Sequence, residues 1–301
     1  MRASWRNLRF TDEHALQIEQ HGMRRLKEKN MKSIFVVALM IAANACLAAT
    51  GQENQIGRFA AGPEKEATPL RSASFPHLVA GKGWSTSYYI TNVDGGRSAN
   101  FLLKLRTTEG RELSVPVSLS AELSGIGSQI SGTLRPAETI VVEVSMPADQ
   151  EAIYGWADLT STTYFYGFSG YAIYKYRAPD QQEQSYLVPL DGKAHSSMML
   201  MMDNRAGYTT SVAIANNSPY YASEIIVRVV NQDGTAGPKQ LLTIAPMGQT
   251  AFAVHDMFPQ VKDRVVGIEF EGQDNRAKIT GFGVRISPDG QLRYLPGFTT
   301  D

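Results

Sequence analysis

The sequence predicts an all-β protein built from two tandem antiparallel β-sandwich domains related by internal duplication. Three observations predict it. A segment of the chain recurs 124 residues further on, polarity alternates with period two inside both segments, and turn dipeptides separate the alternating runs with no amphipathic helix between them. Of 301 residues, 43% are hydrophobic and 19% charged, which excludes a disordered or collagen-like chain. Twenty-nine basic side chains balance 29 acidic ones, so bulk charge gives no attraction to nucleic acid or anionic lipid. The single cysteine excludes a disulfide framework or a thiolate metal cage within one chain.

The amino-terminal elements read as an address. Met31 and Lys32 precede the apolar run Ile34–Ala43, and small residues follow to Ala49. That order is a secretory signal peptide, residues 31–48, cleaved after Ala48. The run is far short of the roughly 20 apolar residues that span a bilayer, and no later segment approaches that length. Residues 1–30 read as an upstream extension, with translation starting at Met31; the alternative is a long n-region of the signal. A lipid anchor on Cys46 is the competing fate of the signal, although Ala43-Asn44-Ala45 lacks the usual leucine. Without residues 1–48 the chain carries 21 Lys/Arg and 25 Asp/Glu and no cysteine, so its stability rests on burial alone. The expected location is secreted, periplasmic or cell-envelope. Residues 49–74, with Pro63 and Pro69, read as a linker.

Domain one is expected over 75–191 and domain two over 195–301. Gly83–Asn92 lies over Gly207–Asn216, and six of the 28 positions from 83 to 110 are identical under the shift. Leu134-Arg135-Pro136 meets Ile244-Ala245-Pro246 at an offset of 110, so the first segment holds about 14 extra residues, expected as a Ser/Gly-rich loop around 118–131. In the first strand Trp84, Thr86, Tyr88 and Ile90 alternate with Ser85, Ser87, Tyr89 and Thr91. Further strands are expected near 101–107, 113–118, 138–144, 154–161, 169–177 and 185–189. Their counterparts lie near 223–231, 239–244, 249–254, 265–271, 279–287 and 292–296. Asp94-Gly95, Glu109-Gly110, Asp233-Gly234 and Asp289-Gly290 supply turns, and Asp256–Pro259 is long enough for one helical turn.

The pattern Gly-aromatic-x-Thr-x-x-x-Ile-x-Asn, then a Pro-led strand, then Gly155-Trp156-Ala157-Asp158-Leu159-Thr160-Ser161-Thr162 resembles uncharacterised exported bacterial proteins built from paired immunoglobulin-like repeats. The resemblance covers about residues 75–301 and implies the fold. It brings no activity, cofactor or catalytic residue.

Chemistry-bearing motifs are sparse. HExxH, a Walker loop, GxSxG and GxGxxG are all missing from the sequence. His255-Asp256 is the nearest approach to a metal or base pair, but adjacent strand residues point to opposite faces, so the two do not converge unless a turn begins there. Asp158 and Glu269 occupy equivalent strand positions, and Asp203-Asn204-Arg205 reads as a capped loop. No catalytic residue, metal or cofactor is expected.

Residues 154–186 hold 10 of the 28 aromatics. Aligning the repeats places Ala157, Leu159, Tyr171 and Ile173 inside, and Trp156, Asp158, Tyr174 and Tyr176 outside. If 154–161 and 169–177 form a hairpin, Trp156 faces Tyr174 and Tyr154 faces Tyr176. The ligand-binding candidates are therefore Tyr154, Trp156, Tyr174 and Tyr176, as an exposed ladder, a sheet-stabilising ladder, or a face buried against the second domain. The expected function is an exported, non-catalytic binding or scaffold module for an unknown protein or glycan. The alternatives are a carbohydrate-binding module and a carboxylate-dependent hydrolase.

Overall fold

A computed structural model describes residues 71–120, 123–161, 167–177, 182–274 and 276–299. The signal, Cys46 and most of the expected linker lie outside these residues. All the described residues belong to one compact unit, and no helix among them is long and apolar enough to cross a membrane.

The fold is all-β, with four antiparallel sheets. In the N-terminal half, β1 (Arg71–Ala80), β2 (Trp84–Asn92), β3 (Ala99–Thr107), β4 (Val115–Ser120) and β5 (Leu123–Gly127) are followed by β6 (Gln129–Leu134), β7 (Thr139–Ser145), β8 (Ile153–Ser161), β9 (Phe168–Tyr176) and β10 (Gln184–Pro189). They form a sheet of order β1-β8-β3-β6 and another of order β10-β9-β2-β7-β4-β5. In the C-terminal half, β11 (Ser197–Asp203), β12 (Thr209–Asn216), β13 (Ser223–Asn231), β14 (Ala236–Ile244) and β15 (Gln249–Ala253) are followed by the single-turn helix α1 (Val254–Met257). The chain closes with β16 (Val265–Gly272), β17 (Ile279–Ile286), β18 (Leu292–Leu295) and β19 (Gly297–Phe298). These give sheets of order β14-β13-β16-β11-β19 and β15-β12-β17-β18. Thus β11-β16-β13-β14 runs in the same order as β1-β8-β3-β6, and β18-β17-β12-β15 as β10-β9-β2-β7.

Three expectations are corrected. The 118–131 stretch is no loop: β4 and β5 pair there and extend the larger sheet. β1 begins at Arg71, inside the expected linker, and pairs with β8 from Arg71 onward. Most consequentially, 154–161 and 169–177 form no hairpin. β8 pairs with β1 and β3 in one sheet, while β9 pairs with β2 and β10 in the other.

Alternation builds the first core, where Tyr88, Val142, Ala172 and Tyr174 from one sheet meet Phe75, Leu103, Ala157 and Leu159 from the other. The second core joins Met198, Leu200, Val227, Ile268 and Phe270 to Val212 and Ile214. Two asparagines lock equivalent corners. Asn92 Nδ2 donates to the carbonyls of Arg97, Leu134 and Arg135 at 2.7, 3.2 and 3.0 Å. Asn216 Nδ2 donates to those of Tyr221, Ile244 and Ala245 at 2.8, 3.1 and 3.0 Å.

The halves share a core. Ala213, Phe282, Val284 and Ile286 of the β15-β12-β17-β18 sheet pack into the first cluster, not their own. They cover the flank of the N-terminal half where β1 and β10 form the sheet edges. Ser74 Oγ donates to Thr280 Oγ1 at 2.8 Å inside this contact, and the Gln249 amide donates to the Thr108 carbonyl at 2.8 Å.

Candidate functional site

The structure places the four expected ligand-binding aromatics away from an open surface or half-covered. Trp156, on β8, is fully buried. Its ring points away from its own core, as the repeat alignment implies, yet the C-terminal half covers it: Nε1 donates to the Met247 carbonyl at 2.8 Å, and the Arg106 guanidinium stands 5.9 Å from the ring. Tyr174, on β9, is also fully buried. Its hydroxyl donates to the His77 carbonyl at 2.8 Å, and its ring stacks on Tyr186 at 4.9 Å and faces Phe282 at 6.1 Å. Burial pushes the Tyr174 hydroxyl well above the usual range. Tyr154 is half-buried beside the His77 ring at 6.3 Å, where burial, followed by the Glu151 charge, pushes its hydroxyl up to about 12. Tyr176 is half-buried and packs on Trp84 at 4.6 Å. The expected ladder is absent because its two strands belong to different sheets.

The face assignment on β9 is inverted, for a physical reason. Phe282 and Val284 are buried by the first half rather than by their own sandwich. The core face of β17 instead carries Gly281 and Gly283, which pair with Ile214 and Val212. A Cβ at Gly281 would stand 3.1 Å from Met198 Sδ. Alignment to a residue buried by a neighbour therefore put Tyr171 and Ile173 inside. In the structure they point outward, and Ala172 and Tyr174 point in.

The outward aromatics described on the six-stranded sheet are Tyr89 and Tyr171, directly paired across β2 and β9. Their rings stack at 4.7 Å with an interplanar angle of 18°. Around them on the six-stranded sheet lie Val141 on β7, Ile173 one step along β9, Leu187 opposite Ile173 on β10, and Ile126 toward the β5 edge. Leu187 and Ile126 are 45% and 58% exposed, which marks the face as open. The alternation in 84–91 placed Tyr89 on the face opposite Trp84, Thr86, Tyr88 and Ile90, while its partner Tyr171 was expected inside.

The carboxylates singled out in the sequence are engaged by basic side chains. Asp158 accepts from Arg106 at 2.9 Å and Glu269 from Arg228 at 2.8 Å. Asp203 holds Arg205 at 2.8 Å, and its carboxyl lies well below the usual range because Arg205 hydrogen-bonds it. His255 and Asp256 both lie on the single turn α1, which brings their side chains to 3.5 Å. An open cleft of about 580 Å³ beside the junction of the halves includes Ser197, Glu271, Asp274 and Lys278. Its two carboxylates engage Arg228 and Arg276. Burial lowers the pKa of His77 from the ordinary 6.5 to about 4. The residue occupies a bulge of β1, with Gln249 Nε2 3.3 Å from Nδ1. Among the described residues, no group of three or more His, Cys, Asp or Glu side chains is placed to hold a metal ion.

A scan against protein-family models, a search of curated proteins and a search of solved structures returned no match.

Proposed function

We propose that this chain is an exported binding or scaffold module of the cell envelope or extracellular space, working through the outer face of the six-stranded sheet. The observation that carries the reading is the Tyr89–Tyr171 stack, half-buried among Val141 and Ile173 and beside the exposed Leu187. A solvated sheet face is ordinarily polar; an exposed apolar and aromatic one is a common mark of a contact surface. The equal strand orders of the two halves support an architecture of two immunoglobulin-like domains, about 75–191 and 195–301, arising by duplication. Export rests on the 31–48 signal pattern.

The test of recognition is a Tyr89→Ser/Tyr171→Ser double variant. It is expected to lose binding to isolated cell envelopes while still unfolding in one cooperative transition; unchanged binding moves the site elsewhere. Carbohydrate binding is served by the same two rings, and a glycan panel separates it from protein adhesion. For export, intact-mass analysis of the chain expressed from Met31 is expected to find a mature form starting at Ala49. A product that keeps residues 31–48 overturns that part of the reading.

A further inference from the structure

The outer face of the six-stranded sheet carries a charge pattern that fits itself. Across the outward positions described on β10, β9, β2, β7, β4 and β5, the charged residues are Lys175 and Glu143, one of each sign. The others are serines, threonines, Pro116, Pro189 and the apolar group around the tyrosine stack. Such a face has no net charge to repel an identical one, and its Lys175 can meet the Glu143 of a facing copy. The area is sufficient as well. Six strands spaced about 4.8 Å apart and about 20 Å long offer roughly 600 Å² a side, so two such faces reach the roughly 1,200 Å² at which specific interfaces begin.

The molecule already shows how this kind of face is used. Ala213 and Phe282 are the second half's directly paired residues on β12 and β17, at the strand positions that Tyr89 and Tyr171 occupy on β2 and β9. They are buried against β-structure of the first half. The equivalent face of the first half has larger rings and remains open.

We propose that two copies of this chain pair sheet on sheet through the Tyr89–Tyr171 face, about a two-fold axis. The inference rests on the reading of that face as a binding surface and names its occupant.

Sedimentation equilibrium of the purified full chain over a range of concentrations tests it. The expected result is a reversible monomer–dimer equilibrium. Tyr171→Arg weakens it at least tenfold, and Lys175→Glu weakens it by setting like charges across the contact. The Lys175→Glu/Glu143→Lys double variant recovers it, because the exchange restores opposite signs. Lys175→Glu changes no packed ring, so it decides the matter if Tyr171→Arg fails to fold. A wild-type chain that stays monomeric to about 1 mM overturns the pairing, and so does a dimer that none of these variants weakens. If the chain is monomeric yet Tyr171→Arg abolishes binding to envelopes or to a glycan panel, the pairing falls and the binding face stands. If envelope and glycan binding are also indifferent to Tyr171, both readings fall.

Discussion

Replacing Asn92 by alanine leaves the carbonyls of Arg97, Leu134 and Arg135 without the one amide that gathers them. Buried acceptors deprived of a partner cost about 1–3 kcal/mol, so a loss of about 2 kcal/mol in chemical denaturation is expected. Asn216→Ala is expected to cost the same, since it breaks the same three-way contact at Tyr221, Ile244 and Ala245. His77 gives a pH signature. Its folded pKa, about 4, lies below the ordinary 6.5 because burial disfavours the charged ring. As pH falls from about 6.5 to about 4, the unfolded chain takes up a proton that the folded chain refuses. Stability therefore falls over that window, by about 3 kcal/mol at the low end. Denaturation curves of wild type and His77→Gln across that range check the sign: the variant is expected to lack this component. Trp156→Phe, which replaces the indole by a smaller ring and removes the donor to the Met247 carbonyl, is expected to cost about 2 kcal/mol or more. The asparagines were legible as the last residue of a repeated ten-residue pattern. The burial of Trp156 against the second half was legible only as one of three readings of its face, because its cover comes from a carbonyl 91 positions away.

At the scale of elements, the strands with clean alternation were readable and the others hid for separate reasons. β1 carries Pro76 and His77 in a bulge, which breaks the period between Phe75 and Leu78. β11 is a run of methionines and leucine in which both faces are apolar, Met198, Leu200 and Met202 inward and Met201 exposed, so no period shows. β5 and β6 resemble a Ser/Gly loop by composition and are held as strands by their neighbours. β19 is only two residues long. The turn at Gly110 reads from Glu109-Gly110, but its tightness comes from the other half. With φ at 85°, a Cβ there would stand 2.4 Å from the Pro246 carbonyl oxygen. Gly110→Ala is therefore strained in backbone and in contact, and thermal melts are expected to show a loss exceeding about 1 kcal/mol. Gly234, the matching residue in the second half, meets nothing within 4 Å of such a Cβ. Gly234→Ala is expected to be the milder change, limited to its own φ of 81°.

At the scale of the whole molecule, two repeats suggest two independent cores, but Phe282, Val284 and Ile286 belong to the other half's core. Calorimetry is expected to show one unfolding transition, and Phe282→Ser is expected to lower it as a unit instead of splitting off one half. Two separated transitions in the wild type would contradict the shared core. The same feature sets an order of events during synthesis. A ribosome delivers β1 to β10 well before Phe282, so for an interval Tyr174 and Tyr186 border a side of the young chain that nothing yet closes. Nascent chains stalled before Phe282 are expected to be retained by holding chaperones, and those released at full length to escape them.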